Sequence, residues 1–428
     1  MLRSPGARAD RALDRTADTD SVTVFDRWLA GVARRRVLGD FAHWRHGRLT
    51  LTLPDGTTTV LGAPGAEPHA SIAITRERFF RRVLLHGDIG AGDAYIDGDW
   101  TTDDLALVVE LALRNQQEVP LDSWSTRLGN LADTWRHGRR RNTTSGSRHN
   151  IHAHYDLGND FFGLFLDPTM AYSSARYLTP ADSLEAAQLE KYRQWGERLQ
   201  PAATDHVLEI GSGWGGLAMH LARTYGCRVT SITVSEEQRA MATARVAAAG
   251  LSGRVHIELR DYRDVTGQYD RIVSVEMIEA VGREFWPGFF QAIDRVLAPG
   301  GRVGLQAIVI PDGRFDRYVQ QADWIQKHIF PGGLLPCLRE ICAVTAAHTR
   351  LGVTDVEDRP LDYALTLAAW RRRFFDRIDD VRALGVDRRF IRTWEYYLAS
   401  CEAAFRSRNL GLLHLTLARV GDELRTSQ

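Results

Sequence analysis

The stretch Val207-Leu-Glu-Ile-Gly-Ser-Gly-Trp-Gly-Gly216 constrains this chain more than any other. Its first residues read as a buried strand, and glycines at 211, 213 and 215 follow at once. Glycine takes left-handed backbone angles without a steric penalty, so this spacing permits a tight turn and a close main-chain approach to a ligand. Residues 217–225 then read as a helix. The pattern continues with a strand at 228–234, a helix at 236–249, and strands at 255–259, 271–275 and 302–310. Strands alternating with helices predict an α/β fold, a doubly wound and largely parallel sheet covered on both faces. Residues 412–420 alternate at period two and are expected to pair late, at the sheet edge.

The preceding part reads differently. Residues 1–20 are rich in Arg, Asp and Ala without an apolar stripe and are expected to be disordered. Residues 22–38 read as a helix. Residues 48–53 alternate into a Pro54-Asp55-Gly56 turn, with partner strands at 57–61 and 70–75. Residues 87–100 are too glycine-rich for a helix, and 103–114 form a strong one. Residues 21–130 are therefore expected to be a small α+β N-terminal domain. Between Thr134 and Tyr155 there is no acidic residue but five arginines, Arg136, Arg139, Arg140, Arg141 and Arg148. Residues 131–150 read as a basic linker, either a solvated connection or a patch for anionic lipid headgroups. The remainder, 151–428, reads as one catalytic domain.

Charge and cysteine usage narrow the function. Lys+Arg and Asp+Glu are each 54, so the net charge is zero and a global polyanion binder is not expected. No aromatic residues interleave the basic stretch, which argues against nucleic acid. The four cysteines show no paired metal-ligand spacing, so no metal is expected, and their scarcity fits a reducing compartment. No stretch approaches the ~20 apolar residues of a spanning helix, and the first residues lack a signal-peptide core. The expected location is the cytoplasm.

The glycine turn has the spacing G-x-G-x-G after an acidic residue, not the G-x-G-x-x-G of dinucleotide binders, and no Lys-Ser/Thr follows it. Glu209 at the strand end, with Gly211 and Gly213, suits an ammonium-bearing ligand such as S-adenosylmethionine. Other nucleotides and a plain structural turn stay open. Thr233, Val234 and Gln238 end the second strand, where a ribose would lie. Helix capping by Ser235 with Gln238 accounts for the same residues. Asp261 and Tyr262 end the third strand, where an adenine would sit, although an isolated Asp-Tyr is also a common turn.

Several further segments join this array: His154-Tyr-Asp-Leu-Gly-Asn-Asp-Phe-Phe162, Leu166-Asp-Pro-Thr-Met-Ala-Tyr-Ser173, Val275-Glu-Met-Ile-Glu-Ala-Val-Gly282, Ile329-Phe-Pro-Gly-Gly333 and Tyr396-Tyr-Leu-Ala-Ser-Cys-Glu-Ala-Ala-Phe405. With them the chain resembles the cyclopropane-fatty-acyl-phospholipid synthase family, which includes mycolic acid methyltransferases. The resemblance runs from about residue 150 to the end, with a weaker match at 90–100. It implies a class I, Rossmann-like methyltransferase sheet and methyl transfer from S-adenosylmethionine to the cis double bond of an unsaturated phospholipid acyl chain. It also implies a peripheral position at the inner membrane surface and allows a homodimer.

An alkene is a poor nucleophile, and its methylation leaves a carbocation, so the site must be dry and must hold a base. The resemblance implies bicarbonate as that base, on Ser174, Glu279, Gln306, the backbone of Ile308, and Tyr363. Tyr172 and Ser173 match contacts to the methionine end of the cofactor. Cys401 is a lesser catalytic candidate, because the double bond is itself the nucleophile; a helix-packed structural cysteine is the better reading. His154, Tyr155 and Asp156 would begin a helix over the cofactor. Phe161, Phe162, Phe165 and Leu166 read as core.

Three positions depart from many relatives. Ser174 stands in place of cysteine, Gln306 in place of histidine, and Ala280 where histidine often follows the glutamate. Proton loss from the new methyl gives a cyclopropane. Proton loss that does not close the ring gives a methylene or other methyl-branched alkene, which a partner reductase would then saturate. A non-catalytic lipid-binding protein is the distant alternative.

Overall fold

The computed structural model describes residues 24–41, 43–116, 158–320 and 322–422. The N-terminal twenty residues, the basic linker and the His154–Asp156 segment lie outside the described residues. Two compact units divide the chain. The first comprises Met1–Trp135, Gln321–Trp324 and Arg382–Ser407; the second comprises Arg136–Gln320, Ile325–Val381 and Arg408–Gln428. The sequence boundaries place all of 151–428 together, whereas here Arg382–Ser407 groups with the first unit.

In that unit, β1 (Arg48–Thr52), β2 (Thr58–Leu61), β3 (His69–Ile74) and β4 (Trp100–Thr101) form a sheet in the order β2-β1-β3-β4. Residues 87–100 are a correction. They belong largely to the helix Arg78–Ile96, which breaks only at Gly87 (φ 57°, ψ −128°) and then resumes. The later glycines are there for closeness rather than turning. A Cβ on Gly90 would lie 2.0 Å from the Arg82 carbonyl oxygen, and one on Gly92 would lie 2.6 Å from the Trp324 ring. The helix Arg388–Arg406 packs on Arg78–Ile96 and on Leu105–Asn115. Arg392 donates to the Tyr95 carbonyl at 2.6 Å and 2.8 Å, and its guanidinium lies 4.0 Å from the centre of the Tyr95 ring.

The second unit is built on seven strands: β5 (His206–Ile210), β6 (Arg228–Thr233), β7 (Val255–Leu259), β8 (Tyr269–Val275), β9 (Leu297–Val309), β10 (Leu351–Asp358) and β11 (Gly411–Arg419). Their order is β10-β11-β9-β8-β5-β6-β7. β5 to β9 run parallel, and β11 runs antiparallel to both of its neighbours. The late strand was expected at the edge, but β10 takes that place and β11 lies inside. Its alternation of Leu with His414 and Thr416 is therefore two-sided burial, with His414 1% and Thr416 9% exposed.

Chain order runs from β5 outward through β6 and β7, then returns to β8 on the other side of β5. That reversal opens a crevice at the carboxyl ends of β5 and β8, where doubly wound sheets bind ligands. Two apolar clusters cover the sheet faces, one around Phe289, Phe290 and Ile293, the other around Trp195, Leu217 and Leu221.

Candidate active site

The glycine turn emerges from β5 into this crevice. Gly211, Gly213 and Gly215 all have positive φ (98°, 47° and 83°), as their spacing predicts. Gly215 caps the helix Gly216–Tyr225, whose first N–H groups are the natural place for a polar ligand. Trp214 donates to Asn159 Oδ1 at 2.7 Å, which ties the turn to the helix Gly158–Phe165. Arg245 donates to the carbonyls of Trp214, Thr169 and Pro168, which fastens the turn to the 166–170 loop.

Around the turn, the expected cofactor residues fall into two groups. Tyr172, half-buried, packs between Phe162 (5.1 Å) and Trp370 (5.2 Å), and Phe162 packs on Trp214 (5.4 Å). Ser173 accepts from Lys191 Nζ at 2.7 Å. Phe161, Phe162, Phe165 and Leu166 are at most 2% exposed and form core, as expected.

The more distant candidates are engaged within the protein. Glu209 is 3% exposed, and its carboxylate accepts from the Ser231 hydroxyl. Thr233 donates to Gln238 Oε1 at 2.9 Å, while Ser235 caps the Gln238 N–H and Val234 stays half-buried between them. The capping reading therefore holds, and Thr233 is the last residue of β6. Asp261 caps the single turn Tyr262–Asp264, and the Tyr262 ring carries the Arg263 guanidinium 5.0 Å from its centre.

At the end of β8 stands a residue that sequence reasoning passed over. Glu276 has φ 51° and gathers donors from three distant segments. Its Oε1 accepts from Ser174 N–H (2.9 Å) and Gln306 Nε2 (2.7 Å), and its Oε2 accepts from the Tyr363 hydroxyl (2.7 Å). Gln306 is held in turn. Glycine at 304 lets Trp195 lie flat on β9, since a Cβ there would be 2.6 Å from the ring, and Trp195 Nε1 then donates to Gln306 Oε1 at 3.2 Å.

Glu279 accepts from Ile308 N–H at 2.6 Å, and its sealed Oε2 has no partner. Ser174 turns its hydroxyl to the Ala175 carbonyl. Tyr363 thus serves Glu276 rather than the anion assigned to it. Among the described residues, the donors expected to hold bicarbonate at Ser174, Gln306, Ile308 and Tyr363 are all turned to protein acceptors, chiefly Glu276. Those residues do not fit bicarbonate as they stand.

Electrostatics follow from burial. Lys191, 1% exposed, is pushed down to about 8 by burial, opposed by the charges of Glu276, Asp167 and Glu209. Burial lifts Glu209 to about 8 against Ser231 and Lys191. Burial, then the Glu276 charge, lifts Glu279 to about 8. Burial also raises Glu276, against its three donors and Lys191. Lys191 had a sequence signal that was missed: it sits on the buried stripe Ala187, Lys191, Trp195 of the helix Leu184–Leu199.

The sign of the pH dependence follows. Glu209 and Glu279 move from an ordinary 4.5 to about 8, so between those values the folded chain holds protons that the unfolded chain has released. Stability from this cluster is therefore lost as pH rises through that window. The Tm is expected to fall from pH 6 to pH 8, and Glu279→Gln is expected to flatten the fall. A thermal scan in which Tm rises over that interval would overturn the assignment.

Cys401 lies on the helix Arg388–Arg406, in the other compact unit, where burial raises its thiol pKa. A thiol held neutral in a helix is structural.

A seven-stranded sheet with this reversal, a G-x-G-x-G turn at its switch point and a buried acid cluster beside the turn define an S-adenosylmethionine-dependent methyltransferase. Residues 142–415 match the family model described as mycolic acid cyclopropane synthetase, and the chain belongs to that family. It is 43% identical over 387 residues to the tuberculostearic acid methyltransferase UfaA1 of Mycobacterium tuberculosis, covering 88% of this chain and 89% of that protein. It is 39% identical over 359 residues to the cyclopropane-fatty-acyl-phospholipid synthase of Escherichia coli K12, covering 83% and 89%. The crystal structure of mycolic acid cyclopropane synthase CmaA1 complexed with SAH and CTAB superposes with a TM-score of 0.59 at 29% identity, covering 63% of this chain and 97% of that one. The cyclopropane synthase MmaA2 of Mycobacterium tuberculosis gives the same TM-score at 26% identity, covering 64% and 98%. The chain is thus a lipid-modifying enzyme, which sets aside the non-catalytic alternative. No helix among the described residues is long and apolar enough to cross a membrane.

Proposed function

We propose that the protein methylates the cis double bond of an unsaturated phospholipid acyl chain and that proton loss then closes a cyclopropane. The observation that supports this most is the placement of an acid cluster against the cofactor turn. A Cβ on Gly211 would lie 2.6 Å from Met277 Cγ, so Glu276 and Met277 stand beside the glycine that approaches the cofactor. S-adenosylmethionine supplies an electrophilic methyl. The chain's own residues provide the rest: Gly211 and Gly213 admit it, Tyr172 and Ser173 border its methionine end, and the aromatic series Trp214, Phe162, Tyr172, Trp370 keeps water out. Glu209, Thr233, Val234, Gln238, Asp261 and Tyr262 line the remaining strand ends. No step is routed through bicarbonate. Positive charge at Arg136, Arg139, Arg140, Arg141 and Arg148 would attract anionic headgroups at the cytoplasmic membrane face.

A second reading ends in a methylene, after a hydride shift along the chain and proton loss from the methyl. The serine at 174 and the glutamine at 306, where many relatives have cysteine and histidine, motivate it, and a reductase would then saturate the product. Incubation with S-adenosylmethionine and vesicles of a cis-monounsaturated phospholipid, followed by proton NMR of the released chains, tests both. High-field cyclopropane protons are expected; vinylidene protons would establish the second reading, and an unchanged chain would refute both.

A further inference from the structure

The residues that the family resemblance assigns to a bound anion surround a carboxylate of the chain itself. Ser174 N–H, Gln306 Nε2 and Tyr363 Oη converge on the two oxygens of Glu276 at 2.7–2.9 Å. A carboxylate and a bicarbonate offer such donors the same thing, two oxygens sharing one charge on a planar carbon, so the donors serve one or the other. A further anion here would also meet the buried charge of Glu276. We propose that Glu276 is the catalytic base, occupying the position of bicarbonate and accepting the proton lost from the methylated chain. This rests on the methyl-transfer reading above.

Three observations support the assignment. Glu276 holds φ 51°, a left-handed angle that a side chain such as glutamate rarely adopts, and its carboxylate is what that backbone aims into the donors. Met277 against Gly211 places it beside the cofactor turn. The charge of Lys191, with the three donors, favours the ionised form against burial.

The step balances. Methyl transfer leaves one positive charge on the acyl chain. A C–H bond then breaks, its electron pair becomes the third ring bond or an alkene π bond, and the proton goes to a Glu276 oxygen. Chain and glutamic acid are both neutral, and the acid loses its proton to water before the next turnover.

The test uses the full chain in buffer stripped of carbon dioxide, with methyl transfer, S-adenosylmethionine affinity and 13C-bicarbonate binding by NMR measured together. Wild-type turnover is expected to change less than ~2-fold on stripping, while Glu276→Gln loses ~100-fold or more with cofactor affinity retained. Glu276→Gly suits the left-handed backbone and vacates the carboxylate position. It is expected to bind labelled bicarbonate and to regain at least ~10-fold in turnover when bicarbonate is added. Wild-type turnover that falls more than ~10-fold on stripping, saturable bicarbonate binding by the wild type, or an active Glu276→Gln would each overturn the proposal. Absence of any methyl transfer by the wild type in either buffer would instead sink the lipid reading. The binding measurement would still decide the occupant: bicarbonate bound by Glu276→Gly and not by wild type supports Glu276.

Discussion

The Lys191→Met variant is expected to melt on the order of 10 °C below the wild type. Lys191 is 1% exposed, and its ammonium faces the charges of Glu276, Asp167 and Glu209. Removing one partner from a buried charge cluster leaves the others uncompensated, which typically costs ~3–5 kcal/mol. For a chain of this size each kcal/mol is worth ~2–4 °C. Methionine fills nearly the same volume, so lost packing contributes little. The deficit should be smaller at pH 6 than at pH 8, because Glu209, lifted to about 8 by burial, takes up a proton at the lower pH. Adding Glu209→Gln should recover part of it. Thermal unfolding of the single and double variants makes the measurement, and a Lys191→Met Tm within ~2 °C of wild type would contradict the cluster's role.

Tyr363→Phe is expected to lower kcat roughly 10- to 100-fold, since a hydrogen bond to a charged group is worth ~1.5–3 kcal/mol. The phenol donates to Glu276 Oε2 at 2.7 Å and its ring is fixed against Trp370. Phenylalanine keeps that packing and removes only the donor, so one Glu276 oxygen loses its orientation and the ionised form loses support. Affinity for S-adenosylmethionine should stay within ~3-fold, because the tyrosine acts on the base and not on the cofactor turn. Calorimetry beside steady-state kinetics separates the two quantities. Equal losses in both would place Tyr363 in cofactor binding instead.

The doubly wound sheet was legible because each strand carries its own signal, a short apolar run ending at glycine or a capping residue. The cofactor turn was legible for the same reason: Gly211, Gly213 and Gly215 state their backbone angles locally. Residues 87–100 misled because their glycines answer to partners far away in the chain. Gly92 is small for Trp324 and Tyr396, and nothing within the segment says so. Glu276 was hidden in a different way. It looks like one more acid three residues before Glu279, and only folding brings Ser174, Gln306 and Tyr363 to it. The resemblance then drew attention to Glu279, the matched position, and away from its neighbour.

The helix Arg388–Arg406 completes the first compact unit although more than two hundred residues of the second unit precede it. On a ribosome, the N-terminal sheet and its two packed helices would wait for that helix while the whole methyltransferase sheet except β11 emerged. The second unit waits as well, because β11 lies between β10 and β9 and emerges later still, so neither unit completes until the last stretch of chain is made, against the usual N-to-C order of domain formation. A C-terminal truncation before residue 388 would therefore damage the opposite end of the chain as well as the sheet that loses β11, and a nascent chain stalled there should expose its N-terminal unit to proteases and chaperones.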